Sequence, residues 1–205
     1  MKLVEAADIA LINEYNSSGF RMTKELEDID LDNYCLFLGS SHTEGVGVEI
    51  EQRYSTLVSA VLKCEEVNLS VGGGGIDAVE HNLLSWFMHT KKEPKHIIIE
   101  WPAYQRFMQD IYEQKNMCPA GIWSEPEFLV YADQALYLKA ELTYHNLHRL
   151  SPVKIIDVMH SKIVDQTWQS LMIWHTDIDI GTDNSHPGPK THLATAENIL
   201  AVLDR

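Results

Sequence analysis

The sequence predicts an α/β protein, a three-layer α/β/α architecture around a mostly parallel central sheet, and three observations predict it. The chain of 205 residues is 45% hydrophobic and 9% aromatic, the composition of one globular domain with a sizeable core. Short apolar runs bounded by polar or turn residues lie at 33–39, 66–71, 96–101 and 152–158, and their length and pattern are those of buried strands. Between them apolar residues recur at helical spacing, and strands alternating with helices give a parallel sheet covered on both faces.

Taken in order, residues 1–32, with the acidic run Glu25 to Asp32, read as an N-terminal arm or cap, and 33–205 as the domain proper. After the first strand, Val48, Tyr54, Leu57, Val58, Val61 and Leu62 share one side of a helix over 48–63. The second strand leads to a helix over 76–89 through Ile76, Val79, Leu83, Leu84 and Phe87. The third strand is followed by an irregular stretch to Gly121, then by a helix over 124–150 opened by a capping box of Ser124 and Glu127. The fourth strand is followed by a predicted helix over 160–174, a polar loop over 175–189 and a closing amphipathic helix over 190–205.

Charge narrows the function. Sixteen Lys and Arg against thirty Asp and Glu leave −14, a surface that repels phosphate backbones and anionic lipid, so neither nucleic acid nor a membrane is an expected partner. Glu5 and Asp8 interrupt the first apolar run and no cleavage site follows, so the expectation is no secretory signal and a cytoplasmic location. Cys35, Cys64 and Cys118 show no C-x-x-C spacing, which speaks against a disulfide framework or a cysteine zinc site, and Cys35 reads as an inert strand residue in a reducing compartment. Asp177, Asp179 and Asp183 could line up hard ligands, but the closing Glu of a calcium loop is absent and the Asp/Ile alternation reads as an extended segment with one wet face. No metal and no cofactor are expected.

In an open parallel sheet the ligand site lies beyond the carboxyl ends of the strands, which selects the loops starting near 39, 71, 101 and 175. The first reads Gly39-Ser40-Ser41-His42-Thr43-Glu44-Gly45-Val46-Gly47. It lacks the Walker lysine and the third glycine of a dinucleotide loop, so Ser41 is either a nucleophile held at the cleft floor or a helix cap. The second loop holds Gly72 to Gly75, whose bare N–H groups either form an oxyanion hole or only a flexible turn. The last carries Asp183 and His186 three residues apart, either the orienting acid and the base of a triad or a polar surface loop. Trp101 and Tyr104 stand at a strand end, where they could stack on a sugar or pack in the core. His42 and Glu44 flank Ser41 and would shape the cleft.

Three of these loops, in order, resemble the blocks of the SGNH, or GDSL-like, hydrolase superfamily of esterases, lipases and carbohydrate deacetylases, and the resemblance spans 34–205. Its G-D-S-x-x-x-G block is similar to Gly39-Ser40-Ser41 through Gly45, with Ser40 where the family has aspartate, and it implies that Ser41 is the nucleophile. Asn68 and Gly73 fit the second block, which implies that the amides of Ser41 and Gly73 form the oxyanion hole. Asp183 to Pro187 matches D-x-x-H-P, which implies a triad of Ser41, His186 and Asp183. The third block, G-x-N-D, is replaced by Glu100-Trp101-Pro102-Ala103-Tyr104-Gln105-Arg106-Phe107, which holds no asparagine, so the backbone N–H groups of Ser41 and Gly73 would have to carry the oxyanion, with help from Arg106 or Gln105. The resemblance implies a flavodoxin-like fold and a serine esterase or deacetylase acting on an acyl ester of a small molecule or glycan. The HPGPKTH tail is similar to SGNH-like proteins of tailed bacteriophages, which implies virion partners or a homo-oligomer, and a scaffold without turnover as the alternative.

Overall fold

The computed structural model describes residues 14–104, 106–110, 117–120, 126–160, 172–175 and 178–204. Its centre is a five-stranded, all-parallel sheet built from β1 (Tyr34–Leu38), β2 (Glu65–Asn68), β3 (His96–Trp101), β6 (Ile155–His160) and β7 (Met172–His175), in the order β2-β1-β3-β6-β7. Helices α2 (Tyr54–Leu62) and α5 (Pro189–Leu203) cover one face, and α3 (Ile76–Thr90) and α4 (Pro126–Leu150) cover the other. This is the predicted three-layer α/β/α arrangement.

The alternation of side chains along each strand divides the core in two. Tyr34, Leu36 and Leu38 of β1 and Ile97, Ile99 and Trp101 of β3 point to the α3/α4 layer, while Cys35, Phe37 and Ile98 point to the α2/α5 layer. Both faces are buried, which is why these strands read as nearly continuous apolar runs. Residues N-terminal to β1 join the same core, because Phe20, Met22 and Ile29 are buried in the α3/α4 layer.

The structure departs from expectation in four places. The segment 172–175, expected at the end of a helix, is β7, paired in parallel with β6 from Asp157↔Met172 to His160↔His175. Four residues are too few for periodicity to separate strand from helix, and pairing decides. The irregular stretch after β3 contains an antiparallel pair, β4 (Phe107–Asp110) with β5 (Met117–Ala120). The 48–63 helix is broken, since Arg53 takes an extended backbone between a short 3₁₀ turn at Ile50–Gln52 and α2. β6 starts at Ile155 rather than at 152, since Pro152 has no N–H to give to a ladder. Ser124 of the expected capping box lies outside the described residues.

Candidate active site

Beyond the carboxyl end of β1, Ser41 opens a single helical turn, α1 (Ser41–Glu44), that ends on Gly45 in the left-handed region at φ 81°. The turn is held from below by a buried carboxylate. Glu100 Oε2, near the end of the adjacent strand β3, accepts the Ser40 N–H at 2.8 Å, the Ser40 hydroxyl at 2.9 Å and the Thr43 hydroxyl at 3.3 Å. Gly39 leaves the room, since a Cβ there would stand 2.7 Å from Glu100 Oε2 and 2.2 Å from Thr43 Oγ1. Burial works to raise the Glu100 carboxyl, but His42, the two Ser40 hydrogen bonds and Arg106 outweigh it and hold the group below its ordinary value.

The far side of α1 is fixed by buried donors. Asn68 Nδ2, at the end of β2, donates to Thr43 O at 2.8 Å, and the Thr43 and Tyr54 hydroxyls bond at 2.7 Å. Arg21 donates to the carbonyls of Glu44, Gly45 and Val48, and Arg53 to those of Arg21 and Glu44, which satisfies the acceptors left open by so short a turn. Tyr15 Oη donates to Glu44 Oε1 at 2.5 Å. The segment expected to be an arm thus supplies Tyr15 and Arg21 to the floor of the site.

Asp183 and His186 meet as the spacing predicts. His186 Nδ1 lies 2.5 Å from Asp183 Oδ2, and Asp183 Oδ1 accepts the N–H groups of Ser185 and His186 at 3.1 Å each. Burial would raise the Asp183 carboxyl; the bonds from the His186 side chain and from the His186 and Ser185 amides prevail and hold it at about 2. The loop is pinned against α1: Thr182 N–H donates to Gly47 O at 2.8 Å, and a Cβ on Gly47 would stand 2.7 Å from Asp183 Oδ1. The rings of His42 and His186 pack edge to face with centroids 6.0 Å apart. Among the described contacts, the link between the two loops runs from His42, the residue after Ser41, to His186, and no hydrogen bond joins Ser41 to His186.

The tetraglycine turn completes this side. Val71 N–H donates to Gly39 O at 3.1 Å and Gly74 N–H closes on Val71 O at 2.8 Å, with Gly73 between them at φ 71°. A Cβ on Gly72 would meet Glu44 Oε2 at 2.5 Å, so the turn needs glycine to lie this close to α1. Asn68 serves the backbone of α1 and the N–H of Ser70 rather than the cleft.

At the third loop, of the two readings left open for Trp101, the structure shows packing in the core. Trp101 is 2% exposed; its Nε1 donates to Asp157 Oδ1 at 2.8 Å and its ring packs on Tyr144 and His148, so it has no face to offer a sugar. Strand parity explains this, because Trp101 shares the inward side of β3 with Ile97 and Ile99. Tyr104 is half-buried, edge to face with Tyr137. Burial pulls the Arg106 guanidinium down while Glu100 opposes it, which places Arg106 in the electrostatic field of Glu100. Gln105 lies outside the described residues.

Beside His186 a pocket of ≈ 310 Å³ is lined by Ile178, Asp179, Ile180, Ser185 and Pro187. Asp179, weighed above as a metal ligand, instead accepts the N–H groups of Lys190 and Thr191 and caps α5, and no cluster able to hold a metal occurs among the described residues. No local pattern marks Glu100 as the anchor of Ser40. The available signal was parity, since Glu100 shares with Ile98 the side of β3 that faces α1 and α5.

Solved structures share this fold. A carbohydrate esterase family 2 enzyme with a carbohydrate-binding domain from Corynascus thermopiles (Myceliophthora fergusii) matches at TM-score 0.50 and 14% identity, over 84% of this chain and 67% of that one. The acetyl xylan esterase Est2A of the rumen bacterium Butyrivibrio proteoclasticus matches at 0.53 and 16%, over 83% and 63%. A carbohydrate esterase whose active site displays divergent catalytic and non-catalytic binding functions matches at 0.51 and 15%, over 84% and 68%. The chain spans 63–68% of the length of these proteins, and at such identities the likeness is one of fold. No protein-family model and no curated protein matches the sequence.

Proposed function

We propose that the chain is a serine hydrolase of the SGNH type that cleaves O-acyl esters, with acetyl groups on a carbohydrate as the favoured substrate. The observation that carries this reading is the Asp183–His186 pair, bonded at 2.5 Å and pinned against the turn that begins with Ser41. With Nδ1 committed to Asp183, the imidazole presents Nε2 to take the proton of Ser41 as the hydroxyl attacks the acyl carbon. Asp183, ionised at neutral pH, fixes that tautomer and stabilises the imidazolium. The amides of Ser41 and Gly73 receive the oxyanion, His186 returns the proton to the leaving alcohol, and water then releases the acyl group by the same route. The choice of a carbohydrate ester rests on the kinship of fold with carbohydrate esterases, one of them named for acetyl xylan.

A second reading, an SGNH-fold binding component without turnover that engages a virion or another copy of itself, is favoured by one observation. The segment Glu100 to Phe107 that stands in place of the third block holds no asparagine, and losing such a donor costs about 10²–10³ in turnover. Labelling with a fluorophosphonate probe, alongside p-nitrophenyl acetate turnover, separates the two. The hydrolase is labelled, and Ser41→Ala and His186→Ala both lose labelling and turnover; a folded protein that takes no label is the scaffold.

A further inference from the structure

At the opposite end of β1 from Ser41, the buried thiol of Cys35 and the half-buried thiol of Cys64 stand with their Sγ atoms 2.8 Å apart. Cys35 occupies the second position of β1, and Cys64 immediately precedes β2, the strand hydrogen-bonded to β1. Tertiary pairing thus joins two cysteines 29 residues apart that show no motif in the sequence. A disulfide needs its sulfurs at about 2.05 Å, so less than an ångström of side-chain movement separates this pair from a bond.

We propose that Cys35 and Cys64 form a thiol–disulfide modification site, closed by a low-molecular-weight disulfide and opened by a thiol. The two sulfurs are suited to different steps. The hydrogen bond from Cys35 holds the Cys64 thiol below its ordinary value, against the effect of burial and with help from Ser59 and Lys95, whereas the same bond and burial push Cys35 up. Cys64, the more exposed and more acidic thiol, is the attacking group. Its thiolate attacks one sulfur of the external disulfide, giving a mixed disulfide on Cys64 and releasing one small thiolate. Cys35 then gives up its proton and attacks the Cys64 sulfur, expelling the second small thiolate. Two protein thiols are oxidised to one disulfide and the reagent is reduced to two thiols. The ring so closed, residues 35–64, contains Ser41, α1 and α2, yet the crosslink lies at the amino edge of the sheet and touches none of the residues assigned to catalysis.

The test uses the full chain carrying Cys118→Ser, so that only this pair can react. It is treated with oxidised glutathione, quenched by alkylation, unfolded and weighed intact. The expected product has lost two hydrogens, carries no glutathione and no alkyl group, yields a Cys35–Cys64 crosslinked peptide, and melts roughly 5–10 °C higher, a gain that dithiothreitol reverses. With Cys35→Ser added, glutathione stays on Cys64 for want of a resolving thiol. Cys64→Ser, a change at a half-buried position, takes up none and its melting temperature is unmoved by the oxidant. The proposal is overturned if the parent protein keeps glutathione on Cys64, if both thiols alkylate after oxidant treatment and unfolding, or if the only crosslink joins two chains.

Discussion

Glu100, in β3, and Ser40, two residues past the end of the adjacent strand β1, are joined twice: the carboxylate of the first accepts both the N–H and the hydroxyl of the second, at 2.8 and 2.9 Å. The turn that begins with Ser41 is therefore anchored from β3 as well as from its other neighbours. Glu100→Ala leaves the buried donors of Ser40 and Thr43 without their acceptor and is expected to cost about 2–4 kcal/mol of stability in urea unfolding. In the fraction that folds, turnover of p-nitrophenyl acetate is expected to fall about 10²-fold with KM little changed, because a small displacement of the attacking atom acts on the chemical step. Unchanged turnover would show that Ser41 does not depend on this anchor.

Asp183 gives the protein an acid-sensitive component. Its folded value, about 2, lies below the ordinary 3.8, so the folded state binds fewer protons than the unfolded one. The resulting stability is complete above the ordinary value and is lost as pH falls through the folded one. Melting temperature measured against pH should decline more steeply between these limits in the parent than in Asp183→Asn. In the same substitution the remaining amide oxygen is held by the backbone N–H groups of Ser185 and His186 and an NH2 donor faces His186 Nδ1, which selects the wrong tautomer, and a loss of roughly 10³–10⁴ in turnover is expected.

Gly47 tests how tightly the two halves of the site are apposed. It sits at φ 87°, and a Cβ there would lie 2.7 Å from Asp183 Oδ1. Gly47→Ala is expected to destabilise by roughly 1–3 kcal/mol, from backbone strain and from the clash. It should also shift Asp183 away from His186, so that turnover falls more than the unfolded fraction accounts for.

Trp101 separates packing from recognition. Trp101→Phe keeps most of the buried ring but removes the donor to Asp157, leaving the bonds from Tyr144 and His148. A loss of about 1–2 kcal/mol in stability is expected, with KM for an acetylated oligosaccharide unchanged. A rise in KM without a loss of stability would restore the sugar-stacking role.

What the sequence revealed and what it hid follow from the range of the interactions. β1 and β3 were legible because burial on both faces makes their apolar character continuous, and Asp183 and His186 because their bond spans three residues. Glu100 was not, since its partner Ser40 is 60 positions away and no local pattern encodes that meeting. The same holds for Arg21, whose buried guanidinium reaches Gly45 from a segment that composition alone marks as an acidic arm. β7 was hidden for another reason: a strand that short is defined by its neighbour β6. The choice left open for Trp101, between stacking on a sugar and packing in the core, follows from the alternation along β3, which assigns its side.

The bond from Thr182 to Gly47 joins positions 135 residues apart. Bringing such distant segments together carries a loop-closure entropy that only later contacts offset, and parallel sheets of this kind form slowly for that reason. During refolding, contacts within β1, α2 and β2 have short loops to close, whereas the loop that carries Asp183 and His186 meets Gly47 across 135 residues. Under the proposed function, recovery of esterase turnover is expected to lag behind the recovery of helical signal, which makes it a clock for that late contact.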